Sequence, residues 1–172
     1  MKIEWTSFRL RQGMSRQHSL ALLLFTSTLH ATPINISAGF ASIDQNTHEH
    51  LFRQEVQIDD DHQHLRAAWV KVTTDQQNQL VQAVAHGDHN TAAHLWSTEK
   101  EPSLHAYANE IQYYPKEHRV ILTGNAHLAQ GKNSFSAPKI TYNTLTQHIV
   151  SEAQGDQRTT IILDQDHDAL IR

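Results

Sequence analysis

The chain has 172 residues, no cysteine, 14 histidines and a formal net charge of −4 at pH 7. The negative charge disfavours a nucleic-acid-binding protein, which would carry a basic surface, and without cysteine the chain has neither disulfides nor a thiol nucleophile. Its length suits a single domain, and the core of that domain would be mainly aliphatic, because only 7% of the residues are aromatic.

Residues 1–31 have the features of an export signal. Arg16 precedes an apolar run at 20–25, and Ala31 suits the position before a signal-peptidase cleavage site. The apolar run is shorter than the roughly 20 residues of a membrane span. We therefore predict a signal peptide over 1–31, with an uncleaved anchor as the alternative and Met14 as a candidate for the true start. Cleavage would leave 10 basic and 17 acidic residues, a net charge of −7.

After the leader, apolar and polar residues alternate with a period of two. Asp, Gly and Pro residues separate the alternating runs, and short strands spaced in this way predict an all-β barrel or sandwich. A short helical turn is predicted near 45–52, and the polar segment 90–102 is predicted as a loop or sheet edge with Leu95 and Trp96 packed on the sheet. The clearest strand runs are Ile34–Ile36, Val56–Ile58, Val70–Val72, Ile111–Tyr113, Ile140–Tyr142 and Ile161–Leu163.

A faint internal repeat relates residues 55–74 to residues 125–144, 70 positions later. Apolar positions match in class between the two segments, as Val56 matches Ala126 and Val70 matches Ile140. The repeat predicts two copies of one strand–turn–strand unit, although similarity of this degree also arises by chance in β proteins.

The long alternating run at 118–131 contains Gly124 and Asn125, both weak strand formers. One interpretation is a two-residue hairpin, which would pair Leu122 with Ala126. The other is a bend within one long strand, because glycine inside a strand often marks a bend or bulge. We favour the bend, since the alternation stays in phase across Gly124.

No sequence motif indicates an enzyme, because phosphate-binding, nucleophile-elbow and zinc-protease motifs are all missing. The histidines are the main alternative source of chemistry. His48 with His50, and His62 with His64, are pairs whose side chains would lie about 6.6 Å apart on one face of a strand, and Asp166–Asp168 adds a further cluster. A periplasmic His-rich metal-binding protein is therefore the alternative hypothesis. The simpler explanation of the many histidines is that this sequence favours His and Gln at exposed positions, without a role in metal binding.

The segment 105–143 resembles the OstA-like family. The motif residues are Ala108, Ile111 and Tyr113, then Val120–Ala126, Gln130-Gly131 and Ile140-Thr141-Tyr142. Residues 32–38 and 156–163 are similar to the first and last strands of the family. The chain departs from the family at 51–59, which has no glycine at the corner, and at Pro138, where the family has aspartate; a proline there would be tolerated at a bend or edge.

The resemblance implies a V-shaped antiparallel β-jellyroll over 32–163, with an open hydrophobic groove between two sheets. The charged sequence of residues 164–172 predicts a disordered tail after it. The resemblance also implies a non-enzymatic periplasmic protein without cofactors that transports lipopolysaccharide by covering the acyl chains of lipid A. The implied partners are lipopolysaccharide, jellyroll components anchored in the inner membrane and located in the outer membrane, and further copies of the chain. Head-to-tail assembly would pair the edge Arg158–Leu163 with the edge Ile34–Ala38. Side-chain parity together with the resemblance predicts the groove residues: Ile34, Ile36, Leu95, Ile111, Tyr113, Val120, Leu122, Leu128, Phe135, Ile140 and Tyr142.

Overall fold

A computed structural model describes residues 34–98 and 103–164, and within them the chain is built from antiparallel strands with one short 3-10 turn at Pro115–Glu117. The predicted signal peptide, the tail beyond Asp164 and the Asp166–Asp168 cluster lie outside the described residues. The first six strands are β1 Asn35–Ser37, β2 Phe40–Asp44, β3 Glu49–Asp59, β4 Gln63–Thr74, β5 Leu80–His86 and β6 Ala93–Ser97. The next six are β7 Leu104–Ala108, β8 Glu110–Tyr114, β9 Arg119–Gln130, β10 Asn133–Asn143, β11 Ile149–Glu152 and β12 Thr160–Ile162.

Four long strands, β3, β4, β9 and β10, organise the sheet because each pairs with different neighbours along its two halves. β4, for example, pairs with β5 through 69–74 and with β6 through 63–66. The first layer consists of β2, β5, β8 and β11 with the halves of the long strands that they pair with. The second layer consists of β1, β6, β7 and β12 with the other halves.

The long strands bend between the layers at two bulges. In β9, Gly124 and Asn125 lie opposite Pro138 of β10, and both have left-handed backbones with φ of 76° and 50°. Leu122 pairs with Ile140 and Ala126 pairs with Ala137, so the run at 118–131 is one bent strand and the hairpin interpretation is wrong. An extra residue on one strand bends it and increases its local twist, which explains why this strand carries a Gly-Asn pair.

The predicted repeat is confirmed, and it extends beyond the segment that revealed it. In the β3–β4 hairpin, Gln54 and Glu55 bulge opposite Ala68, 70 positions before Gly124, Asn125 and Pro138. The strands β1 to β4 have the same pairing as β7 to β10, as when Ile36 pairs with Ile58 and Ala106 with Leu128. The chain therefore consists of two six-stranded halves, β1–β6 and β7–β12.

The core lies between the layers and follows the predicted parity. In β9 the even-numbered apolar residues on both sides of the bend are buried, with Leu122 0% and Leu128 2% exposed, whereas Ile121, the neighbour of Leu122, is partly exposed. Side chains from both layers and both halves form one buried cluster. Its largest fully buried members are Leu122, Leu128, Ile140, Val56, Val70 and Val72.

Two local predictions require correction. Residues 45–52 contain no helical turn: 45–48 form a turn in which Asp44 Oδ1 accepts the backbone N–H of Asn46 at 2.8 Å, and β3 then begins at Glu49. The segment 90–102 contains a regular strand, β6, with Leu95 and Trp96 in its ladder. Among residues 34–98 and 103–164 there is no helix with the length and apolar character that a membrane span requires.

Candidate functional site

An apolar groove opens between the two layers, lined mainly by the first half of the chain and completed by β8 of the second half. The second layer contributes Leu95 on β6, and the first layer contributes Ile111 and Tyr113 on β8. The polar residues at the groove are Asp60, Gln63 and His64, near the β3–β4 turn. Its apolar lining comprises Ile34, Ile58, Leu65, Ala83, Ala85, Leu95, Ile111 and Tyr113.

The enclosed space in this groove is small. It measures about 30 Å³, only two to three times the roughly 10–15 Å³ that a cavity needs to hold one water molecule. The inner faces of the layers are therefore in near contact, and a chain of several methylene groups enters only if the layers move apart.

The structure divides the predicted groove residues into three groups. Ile34, Leu95, Ile111 and Tyr113 line the open groove, whereas Ile36 and Phe135 are half-buried and pack against the core. The remaining residues are core side chains that face the same interlayer space, with exposures between 0% and 8%: Val120, Leu122, Leu128, Ile140 and Tyr142. Side-chain parity identified the inner face correctly, and contact of these residues with a ligand stays a prediction.

The groove presents a neutral interior beside a charged rim. Burial raises the pKa of the Tyr113 phenol to about 12, so this group is neutral at physiological pH. At the rim, Asp60 Oδ1 accepts the backbone N–H groups of His62 and Gln63 at 2.8 and 2.6 Å. Such a site suits an apolar ligand whose polar end remains at the rim.

The predicted histidine pairs lie apart from each other. His48 is in the β2–β3 turn with φ of 57°, and His50 is 3% exposed in β3, where burial lowers its pKa. At the other end of the β3–β4 hairpin, His64 Nδ1 lies 2.8 Å from Asp59 Oδ1, and His62 is in the turn. In the described part of the chain, no group of three or more His, Cys, Asp or Glu side chains is arranged to hold a metal ion.

Sequence reasoning missed a row of rings on the outer face of the second layer. His94 on β6 stacks on Trp96 and on Tyr107 of β7, with centroids 4.4 and 4.0 Å apart. Trp96 also stacks on His64 of β4 at 4.9 Å, and the Arg66 guanidinium lies 5.2 Å from the Trp96 ring centroid. The row crosses the joint between the two halves of the chain. The registers of β6 against β4 and against β7 bring these residues together, so no single stretch of sequence indicates the row.

The ends of the sheet form a second candidate site. The predicted edges Ile34–Ala38 and Arg158–Leu163 contain β1 and β12, which lie at opposite ends of the sheet with β2 and β11 beside them. Of the eight large apolar side chains exposed in the described residues, six lie on these end strands or next to them. They are Phe40, Ile43, Val150, Ile161, Ile162 and Leu163. Exposed strands with apolar side chains are sites for pairing with another chain.

Comparisons with known proteins agree with this architecture. The family model described as LptA/(LptD N-terminal domain) LPS transport protein matches residues 35–148. A similar solved structure is that of LptH, the LptA homologous periplasmic component of the lipopolysaccharide transport device from Pseudomonas aeruginosa. It has a TM-score of 0.69 and 21% sequence identity over 78% of this chain and 96% of the LptH chain, which shows a shared fold. No curated protein matches the chain.

Proposed function

The chain belongs to the LptA/LptD N-terminal domain family of LPS transport proteins, and from this premise we propose that it carries lipopolysaccharide across the periplasm by covering lipid A acyl chains between its two layers. The observation that carries the proposal is the apolar interlayer groove, whose lining residues come from both layers. Apolar grooves of this kind mark lipid or partner sites in soluble proteins.

Lipid entry requires the two layers to separate, because the enclosed space is only about 30 Å³. Opening would begin at the groove mouth, where Leu95 is half-buried, and extend towards core residues such as Leu122 and Ile140. Acyl chains would first contact Ile34, Leu95, Ile111 and Tyr113, which line the open groove. The predicted groove residues that lie in the core of the closed structure would contact them later, as the layers separate.

The energetics suit a carrier that holds its lipid reversibly. Burial of several hundred Å² of acyl chain would contribute on the order of 10 kcal/mol at about 25 cal/mol per Å². The costs of association and of separating the layers oppose this gain. The net binding free energy would then be large enough to hold the lipid and small enough to release it. The direction of transport would come from energy supplied elsewhere.

The sheet ends supply the second part of the proposal, which concerns partners. The two halves of the chain already join edge to edge, since β5 pairs with β8 and β6 pairs with β7. In the repeat, β11 and β12 correspond to β5 and β6, while β1 and β2 correspond to β7 and β8. A further jellyroll could therefore extend the sheet by strand addition. We propose that the chain joins other copies, or the jellyroll components at the inner and outer membranes, through these edges.

The function is tested by photocrosslinking from two adjacent tyrosines. Tyr113 lines the groove, whereas Tyr114 lies on the outer face, where the Arg119 guanidinium is 4.7 Å from its ring centroid. Each tyrosine would be replaced separately by p-benzoylphenylalanine, which keeps an aromatic ring, and the protein would be irradiated with lipopolysaccharide.

Adducts at position 113 and not at 114 are the expected result. Equal adducts at both positions would indicate nonspecific surface contact, and adducts at 114 alone would contradict the groove as the lipid site. In cells, normal lipopolysaccharide export after depletion of the protein would contradict the transport role itself.

A further inference from the structure

Two histidines face each other across the joint between the halves of the chain. His94 on β6 and His105 on β7 lie on the outer face of the second layer, and His94 Nε2 is 3.3 Å from His105 Nδ1. This pair is separate from the interlayer groove, and neither residue belongs to the pairs that the sequence suggested. The two imidazoles therefore bring a ring nitrogen of each half of the chain within 3.3 Å of one another.

The separation of the nitrogens suits a shared metal ion. Two imidazole nitrogens bound to one tetrahedral ion at about 2.0–2.1 Å lie about 3.3–3.4 Å apart. The pair therefore needs little movement to become a two-ligand site.

Both rings are held in place by neighbouring side chains. His105 Nε2 lies 3.3 Å from Ser103 Oγ, and His94 is stacked between Trp96 and Tyr107. A histidine that ligates a metal commonly donates its other ring N–H to a neighbouring acceptor. If His105 donates from Nε2 to Ser103, its Nδ1 carries a lone pair, and His94 must hold its proton on Nδ1 for its Nε2 to bind the same ion.

The electrostatic surroundings leave the rings free to bind a cation. Burial, with His105 and Arg66 nearby, lowers the pKa of His94 to about 4, so its ring is neutral at physiological pH. Metal ligation requires this neutral form. The Arg66 charge, which would repel a metal ion, is offset by the Asp59 carboxylate, whose Oδ1 accepts from the guanidinium at 2.8 Å.

We propose that His94 and His105 bind one divalent transition-metal ion, such as Cu²⁺ or Zn²⁺, across the β6–β7 joint, with water molecules in the other coordination positions. Imidazole suits both ions, and Cu²⁺ binds more tightly than Zn²⁺ to a given nitrogen site. Because β6 belongs to the first half of the chain and β7 to the second, the ion would fasten the joint between them.

The test uses the untagged full-length protein and Cu²⁺ as the probe. Electron paramagnetic resonance at one equivalent of Cu²⁺ would report the number of bound nitrogens, and calorimetry would give the affinity. His94→Phe keeps a ring in the stack but removes the ligand, and His105→Gln removes the second ligand. His127→Gln is the matched control, because His127 lies on the same face but its Nδ1 is 2.9 Å from Ser136 Oγ.

We expect each ligand variant to weaken the tightest Cu²⁺ site by about tenfold or more, and the control to leave it unchanged. A second readout is thermal unfolding with Zn²⁺, which should raise the midpoint of the wild type and of His127→Gln only. Equal affinity in the wild type and both ligand variants, or loss in only one of them, would overturn the shared site.

Discussion

Gln54 and Gly124 occupy equivalent positions in the two halves of the chain and share a left-handed backbone, with φ of 66° and 76°. Each begins a two-residue bulge where a long strand bends from one layer to the other. Glycine takes this conformation readily, whereas other residues do so at a cost. The fold thus requires the same backbone at both bends, and the sequence supplies glycine at only one of them.

This difference predicts opposite effects of two substitutions. Gly124→Ala should lower the free energy of unfolding by about 1–2 kcal/mol from backbone strain, and more if Asn109 cannot move, because the new Cβ would lie 2.6 Å from Asn109 Nδ2. Gln54→Gly should raise the free energy of unfolding by about 0.5–1 kcal/mol, since Gln54 is exposed and its strain is relieved. Urea denaturation measures both.

Gln57→Gly is the control for the second substitution. Gln57 is also an exposed residue of β3 but is not among the residues with positive φ. A glycine there should lower the free energy of unfolding by about 0.5–1 kcal/mol. If Gln54→Gly destabilises the protein as much as Gln57→Gly, the strain argument is wrong.

Sequence reasoning succeeded for features that the residues of a single strand determine, namely which side chains face inwards and where the strand bends. The parity of β9 identified Leu122 as buried and Ile121 as an outward residue, and the unbroken phase across Gly124 identified the bend. The equivalent bend at Gln54 gave no local signal, because neither bulge residue there is a glycine or asparagine, and only the resemblance placed a corner within 51–59. Local propensity gives no signal when surrounding strands impose a strained conformation.

Features that depend on several strands could not be predicted. Parity shows which residues face inwards, but it does not show where the layers contact each other, so core residues such as Ile140 were grouped with the groove residue Tyr113. The edge strand β2 was missed because its five residues, all exposed, give little hydrophobic pattern. The contact between His94 and His105 depends on the register of β6 against β7, which no local motif encodes.

Stability should fall in mildly acidic solution because of His94. Its pKa is about 4 in the folded protein, against 6.5 for the ordinary side chain. Between these pH values the unfolded chain binds a proton that the folded chain does not, so the free energy of unfolding decreases as the pH falls from about 6.5 to about 4. Urea denaturation between pH 7.5 and pH 5 should show this decrease.

The variant His94→Phe should reduce this pH dependence without abolishing it. Burial also lowers the pKa of His50, which acts in the same direction. Asp59 contributes only below about pH 5, because burial raises its pKa but hydrogen bonds from Arg66 and His64 outweigh that effect and hold the pKa below 3.8. A pH dependence that is identical in the wild type and in His94→Phe would refute the assignment to His94.

Filling the groove should impair lipid binding while the fold is retained. Ala85 lines the groove and is 2% exposed, and leucine at this position adds three carbon atoms to an enclosed space of about 30 Å³. Overpacking of this kind costs about 1–3 kcal/mol. A tenfold loss of affinity corresponds to about 1.4 kcal/mol, which lies within this cost. We therefore expect Ala85→Leu to reduce lipopolysaccharide adducts from a photoreactive residue at 113 by about tenfold.

Ala129→Leu provides the comparison, since Ala129 lies on the outer face of β9 and gains the same three carbons. The adduct yield of Ala129→Leu from the photoreactive residue at 113 should match that of the protein in which both Ala85 and Ala129 are retained. An unchanged yield in a folded Ala85→Leu protein would show that the lipid does not enter at this point between the layers.

The internal joint predicts the register of an external one. His94 of β6 pairs with Tyr107 of β7, and the repeat makes Thr160 of β12 and Ser37 of β1 their counterparts. Both counterparts are exposed. Because the chain has no cysteine, the double variant Thr160→Cys/Ser37→Cys has only these two thiols, one at each end of the sheet. Under mild oxidation it should form a ladder of head-to-tail oligomers on a non-reducing gel, since directly paired residues satisfy the disulfide limit of about 4.4–6.8 Å between Cα atoms.

The double variant Thr160→Cys/Ala38→Cys tests that register, because a shift of one residue places the second thiol on the opposite face of the sheet. It should form far fewer oligomers at the same protein concentration. Single-cysteine variants would give dimers at most, which separates random collision from repeated end-to-end pairing. Equal ladders from both double variants would mean that the edges meet without a fixed register, and the two halves of the chain would then be no guide to how copies join.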